Sequence, residues 1–305
     1  MKRPNLFIVG EPKSGTTAMH SFLSQHPEIF MSEPKEPHHF EADFQAEGKG
    51  CKGYRKHFRY LDEDKYLGLF KKAGGYKVIG ESSTDYLYSK AAAKRIASFS
   101  PAAKILIMLR EPVDFLYSLH SEYLFHMTED ITDFWKALEA EKERKQGKRI
   151  PKNAPYPSYL FYSERIKYAD HIKRYLDHFP KKNIMSILFE DFRKDNLGAY
   201  QKVLRFLEVD ASFTPEFETI NQQRKVRHQK TKSVIDTTLY PAAKKLVPKA
   251  LYRKLSSVYR NVVFDYEPRS PLDTALESKL KRSFRPEVEK TQKLIKKDLI
   301  KIWGY

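Results

Sequence analysis

Phe7-Ile8-Val9-Gly10-Glu11-Pro12-Lys13-Ser14-Gly15-Thr16-Thr17-Ala18-Met19-His20-Ser21-Phe22-Leu23 runs from an apolar stretch through a two-glycine loop into a segment with helical apolar spacing. A loop between a strand and a helix start is where backbone N–H groups and the helix dipole hold a phosphate. Gly10 and Gly15 keep the spacing of the Walker loop, but Thr16 stands where that loop carries its lysine, which disfavours an ordinary magnesium-nucleotide kinase. The cation sits earlier, at Lys13, where it reaches the oxygen bridging a 5′-phosphate and the group it carries. Ser14, Gly15, Thr16 and Thr17 complete the cradle. A plain glycine turn would have no need of a lysine, a serine and two threonines together.

Outward from this loop, short apolar runs at 6–9, 76–79, 104–109 and 184–189 read as strands. Helical apolar spacing occupies 16–25, 91–99, 115–124, 155–179, 197–207 and 272–302. Strand followed by helix, repeated, predicts an α/β fold with a central parallel sheet covered by helices on both faces, its ligands bound beyond the carboxyl ends of the strands. The 305 residues, 41% hydrophobic, suit a single domain over 1–305. A basic, proline-broken stretch at about 228–270 reads as a helical lid or insertion. Leu251, Leu255, Val258 and Val262 share one helical face there, with Lys249, Arg253, Lys254 and Arg260 elsewhere, so a membrane-surface helix and a packed helix with a solvated basic side stay open.

A net charge of +17 favours an anionic partner, and residues 221–305 carry 21 lysines and arginines against 8 acidic residues. Nucleic acid is a rival for that charge, but no helix-turn-helix, zinc spacing or aromatic ribonucleoprotein motif accompanies it. Cys51 is the single cysteine, which fits a reducing compartment. The apolar run after Met1-Lys2-Arg3 is too short for a signal sequence, and no run approaches the roughly 18 to 20 residues needed to span a bilayer. The expected location is cytoplasmic, at most peripheral to a membrane through the basic C-terminal region.

A second anion site is expected at Arg110. It closes an apolar strand, where a guanidinium is costly unless an anion meets it, and Ser118 follows two helical turns on. The competing reading is a local ion pair with Glu111 or Asp114. Two anion sites in one chain suit one nucleotide with phosphate at both ends. The stretches 7–23 and 105–123 (ILIMLREPVDFLYSLHSEY) resemble the 5′-phosphosulfate loop and the 3′-phosphate motif of the sulfotransferase family that uses 3′-phosphoadenosine-5′-phosphosulfate (PAPS). Weaker likeness covers 80–88, 179–207 and 284–303. The flavour is that of the heparan-sulfate branch and soluble bacterial relatives, although Ser82 replaces the lysine that the branch carries after its glutamate. The resemblance implies a P-loop-like fold, PAPS as donor, adenosine 3′,5′-bisphosphate (PAP) as product, and no metal. The acceptor it implies is a carbohydrate, glycolipid or small molecule, sulfonated on a hydroxyl rather than an amine.

In-line transfer at sulfur needs a base near the acceptor and cations around the sulfonate. Lys13 serves the leaving group. Glu36, in Glu33-Pro34-Lys35-Glu36-Pro37-His38-His39-Phe40, matches the family's catalytic glutamate, and to work well as a base at pH 7 its pKa has to be raised by burial. His38 and His39 compete as the base. Lys35 either neutralises the sulfonate or is a surface lysine. Arg224 and Lys225 lie where relatives fold a basic segment over the 3′-phosphate, while Glu190-Asp191 reads as a helix cap.

Overall fold

The computed structural model describes residues 2–217 and 270–305 in full, and 225–226 and 264–265 as backbone. Five strands form one parallel sheet in the order β2-β3-β1-β4-β5: β1 is Leu6–Gly10, β2 Ile29–Met31, β3 Val78–Ser82, β4 Lys104–Leu109 and β5 Ile184–Leu188. β1 lies in the centre, flanked by β3 and β4. Alternation along the central strands feeds two cores. Phe7, Val9, Ile105, Ile107 and Leu109 point into one, and Leu6, Ile8, Leu106 and Met108 into the other. Both faces of the sheet are therefore buried, which is why these strands read as continuous apolar runs rather than as alternating ones. Helices Ala92–Phe99, Tyr168–Leu176 and Thr274–Ile295 contribute Ile96, Ile172 and Val288 to the first core, while Thr16–Leu23 and Asn196–Leu207 contribute Phe22 and Leu204 to the second.

Most elements lie within a few residues of the sequence reading, and the larger differences are these. The strand expected at 76–79 lies at Val78–Ser82, and Ile29–Met31, left unassigned, pairs with it as an edge strand. The helical pattern of 155–179 breaks into Pro157–Leu160, Tyr162–Arg165 and Tyr168–Leu176. The final helix stops at Ile295, where Lys296 turns left-handed (φ 56°), and a short helix resumes at Leu299–Trp303. Residues 227–263 and 266–269, with most of the expected lid, lie outside the described residues; Lys225–Val226 pairs antiparallel with Phe264–Asp265. Among the described residues no helix is long and apolar enough to cross a membrane.

Beside the helix Pro112–Phe125, Arg144 and Glu129 meet with no exposed side-chain surface. Two guanidinium nitrogens reach the two carboxylate oxygens at 2.8 and 2.7 Å, and Tyr162 donates to the same group at 2.9 Å. Burial opposes the Glu129 charge, but Arg144, the Ile131 amide and Tyr162 hold its pKa below the ordinary carboxylate range. A depressed native pKa stabilises the fold above the unfolded value, and that stability fades as pH falls through the native one. Arg144→Met is expected to cost about 3–5 kcal/mol in chemical denaturation, because it strands a buried charge. Its deficit relative to wild type should shrink as pH drops below about 4.

Candidate active site

Four of the segments singled out from the sequence follow the carboxyl ends of strands: Lys13 after β1, Glu36 after β2, Ser83 and Thr84 after β3, and Arg110 after β4. Parallel pairing brings these ends to one edge of the sheet.

The loop after β1 is shaped by its two glycines. Gly15 has φ 86°, and a Cβ there would lie 2.9 Å from the Phe192 ring; Gly10 has φ 151°, and a Cβ would meet Thr84 O and Leu87 Cβ at 2.7 Å. Larger residues would be strained and would clash. Gly15 precedes the helix Thr16–Leu23 with no side-chain cap, so the first helical amides are offered to an anion rather than to a neighbouring side chain. Ser14 and Thr16 are buried, Thr17 half-buried. Lys13, itself left-handed at φ 62°, projects from the loop and pairs with Glu122 at 3.0 Å.

Arg110 adjoins this loop directly. Its Nη1 donates to the Lys13 carbonyl at 2.7 Å, and the guanidinium lies over the Phe189 ring at 4.4 Å. Nε and Nη2 donate to Asp114 at 2.7 and 2.6 Å, so the local ion pair weighed as the competing reading is present. An Asp114 pair and a role in anion binding are compatible, since Arg carries five donors and these contacts engage three of its nitrogens. Asp114, buried Ser118 and Glu122 recur every four residues along the helix Pro112–Phe125, one row of its surface. The two ends of that row touch Arg110 and Lys13, which places Ser118 between the two cations. Arg224 lies outside the described residues, and Lys225 is described only as backbone.

The loop after β2 carries Glu36 (φ 62°) and His38 (φ 55°), both left-handed without being glycine. Such residues cost of order 1 kcal/mol each and persist where surrounding contacts hold them. Those contacts originate at Glu81, which has no exposed surface. Its carboxylate accepts from Tyr66 OH (3.0 Å), Tyr86 OH (2.9 Å) and Ser83 Oγ (2.8 Å). In turn, Ser83 Oγ accepts the His38 amide at 3.2 Å, and Tyr86 OH accepts the His39 and Phe40 amides at 2.9 and 3.3 Å. The Glu36 amide bonds Ser82 O at 2.8 Å. The motif Gly80-Glu81-Ser82-Ser83 thus acts as scaffold for the loop beside it. His39 takes no place at the base: its Nδ1 meets Tyr60 O at 2.7 Å and its ring stacks on Tyr66.

Glu36 ends in a row of titratable groups. Its Oε1 pairs with Lys35 and accepts from Thr84 at 3.3 Å; its Oε2 lies 3.9 Å from His38 Nε2, and His38 Nδ1 lies 2.5 Å from Glu41 Oε1. The Glu36 side chain is 39% exposed, His38 only 6% and Glu41 not at all, so Glu36 is the member of the row that a substrate can touch. Burial alone would raise the Glu36 pKa, but Lys35 and then His38 pull it below the ordinary range, the reverse of the requirement read from the sequence. Burial lowers His38 and raises Glu41 to about 8. Lys35 is no free surface lysine, being committed to Glu36. Nearby, His20 Nδ1 meets Ser82 Oγ at 2.8 Å, its pKa lowered to about 4 by burial and then by Lys35.

Several residues of this site gave no sequence signal. His57 stacks on His38 (centroids 3.8 Å apart) and lies 3.7 Å from Glu41 and 3.4 Å from Asp85. Asp85 is gripped by Arg165 at 2.7 Å and Tyr156 at 2.9 Å. His38, Glu41, His57 and Asp85 thus bring one ligand atom each within 4.8 Å. The 2.5 Å His38–Glu41 approach is closer than the roughly 3.3 Å separating two ligands of a tetrahedral ion, so in this arrangement the four side chains are spaced as paired acids and imidazoles rather than as a ligand set. Glu11, fully buried in the phosphate loop beside His171 (3.6 Å) and Arg165 (3.9 Å), is raised to about 8, chiefly by burial. Glu190 does not cap its own helix: it accepts from the Glu111 amide (3.0 Å) and Trp303 Nε1 (2.9 Å), and Asp191 pairs with Lys297.

A family model described as "Sulfotransferase domain" matches residues 3–294. The chain belongs to the sulfotransferase family. A crystal structure of a sulfotransferase from Alicyclobacillus acidocaldarius superposes over 100% of both chains, with a TM-score of 0.74 and 28% identity. The bifunctional heparan sulfate N-deacetylase/N-sulfotransferases 3 and 2 of Homo sapiens are 27% and 26% identical over 213 and 217 residues, 68% of this chain in each case. The chain spans about a fifth of the length of these curated relatives, the match covering 22% of each. The sheet with helices on both faces is the P-loop-like sulfotransferase fold.

Tyr86→Phe tests the scaffold. It removes the acceptor for two loop amides and one donor to Glu81, with an expected loss of about 1–3 kcal/mol in thermal or chemical denaturation. Turnover should fall further than this stability loss explains, because the loop carrying Glu36 and His38 loses the anchor of its His39 and Phe40 amides.

Proposed function

We propose that this sulfotransferase moves a sulfonate group from PAPS to a hydroxyl of a carbohydrate-like acceptor, releasing PAP. The observation that carries the reading is the contact of the two anion-binding segments: Arg110 donates to the Lys13 backbone, so the phosphate loop and the arginine segment can grip opposite ends of one small nucleotide. The loop amides, Ser14, Thr16 and Thr17 receive the 5′ end, and Arg110 and Ser118 the 3′-phosphate, with Arg224 and Lys225 as further contacts to it.

Glu36, ionised and accessible, takes the proton from the acceptor hydroxyl as its oxygen bonds sulfur. The bond from sulfur to the 5′-phosphate oxygen breaks, its electron pair stays on that oxygen, and Lys13 neutralises the charge. His38 and Glu41 stand behind Glu36 and share the incoming charge, which makes them positioning residues for the base. Lys35 serves twice, keeping Glu36 ionised and standing by for the sulfonate oxygens; as sulfonate draws Lys35 away, Glu36 becomes a stronger base. No step in this scheme uses a metal ion. The relatives' printed activity on heparan sulfate supports a carbohydrate and makes an amine the alternative acceptor. Of the peripheral membrane contact expected from the sequence, the carrying segment lies outside the described residues.

Labelled PAPS incubated with a panel of saccharide hydroxyl and amine acceptors tests reaction class and acceptor together. Glu36→Gln should leave the affinity for PAP, measured calorimetrically without magnesium, within about two-fold while turnover drops by on the order of 10²–10⁴. Unchanged turnover removes Glu36 as the base; a requirement for magnesium in PAP binding removes the donor assignment.

A further inference from the structure

The row Asp114, Ser118, Glu122 on the helix Pro112–Phe125 places a carboxylate against each of the two cations assigned to the nucleotide. Asp114 lies one turn from Arg110, the ordinary spacing of a local helical pair. Glu122 is different: it reaches across 109 positions of sequence to the phosphate loop. Its place in the last helical turn is electrostatically unfavourable for a carboxylate, since the helix dipole presents negative charge there. The helix dipole therefore gives no reason for a glutamate at this position.

The two Glu122 oxygens are divided between two partners. Oε2 takes Lys13 at 3.0 Å and Oε1 takes His126 Nε2 at 3.2 Å. Burial opposes the charge, but His126 and Lys13 together hold its pKa down at about 2, so the carboxylate is ionised throughout the working range. Lys13 has one ammonium, and in this geometry it is committed to Glu122. To serve the leaving oxygen it has to give up that pair, and His126 remains to hold Glu122 when it does.

We propose that Glu122 is a positioning residue that competes with the nucleotide for Lys13, so that donor binding is an exchange of one ion pair for another. The proposal rests on Lys13 being the lysine that meets the 5′ end. The exchange has a direct consequence for affinity: part of the Lys13–phosphate attraction is spent in breaking Lys13–Glu122. It has a consequence for selectivity too, because a ligand lacking a 5′ anion gives Lys13 no reason to leave Glu122.

A double-mutant cycle read by calorimetry separates this role from a structural one. Partly exposed ion pairs are worth up to about 1 kcal/mol, and a pair worth about 0.4–1 kcal/mol means that Glu122→Gln should bind PAP about two- to five-fold more tightly than wild type at low salt. The gain should be absent for adenosine 3′-monophosphate, which has no 5′ phosphate. In a Lys13→Met background the same Glu122→Gln change should leave PAP affinity within about 1.5-fold, because the competition has lost its object. Glu122→Ala should reproduce the pattern, and melting curves of all variants control for folding. Equal or weaker PAP binding by Glu122→Gln overturns the proposal. A gain that persists without Lys13 overturns it as well, showing only removal of a negative charge near an anion. Wild type that binds no PAP overturns the donor assignment itself, a different failure from the first two.

Discussion

A carboxylate with no exposed surface has to be surrounded by donors, and at Glu81 those donors are also the supports of the neighbouring loop. Ser83 and Tyr86 each give a hydrogen to Glu81 and accept backbone amides from His38, His39 or Phe40. Burial raises Glu81 to about 7, and the three hydroxyls are what restrain it from rising further. The strained turn bearing Glu36 and His38 is therefore fastened to the central sheet through one acid. Because that acid lies on β3, beside β1, the fastening also fixes the turn relative to the phosphate loop.

From this fixed frame the charges divide into two groups. Lys13 and Arg110 lie on one side and share contact with one helix, through Glu122 and Asp114. On the other side Glu36, His38, Glu41, His57 and Asp85 form a chain of alternating acid and imidazole that ends at Arg165. Glu36 is the most exposed member of that chain, at 39%, while His38, Glu41, His57 and Asp85 are 15% exposed or less, so the groups behind Glu36 are weakly screened by water.

Much of this was legible in the residues. The strand, glycine loop and helix at 6–23 announced themselves through spacing, and Arg110 through a charge placed where an apolar strand ends. Ile29–Met31 escaped because three apolar residues carry no periodicity, and a strand that short is defined by its partner β3. The partnerships escaped for a related reason. Nothing local distinguishes Glu122, Glu41 or His57 from solvated residues, and their meanings arise from contacts across long separations, such as Lys13 with Glu122. The direction of the Glu36 pKa is not legible from burial alone, because the adjacent Lys35 ammonium together with His38 outweighs it.

The ties made by Trp303 and Tyr305 bear on how the chain is made. Tyr305 OH donates to Glu111 at 2.6 Å across 194 positions, and Trp303 holds the Glu190 carboxylate that accepts the Glu111 amide. Glu111 caps the helix carrying Ser118 and is the immediate neighbour of Arg110. On the ribosome, the strand and helix around Arg110 emerge long before the residues that brace them. The nascent sheet can close early, yet the arginine end of the nucleotide cleft gains its last braces only once nearly two hundred further residues have been synthesised.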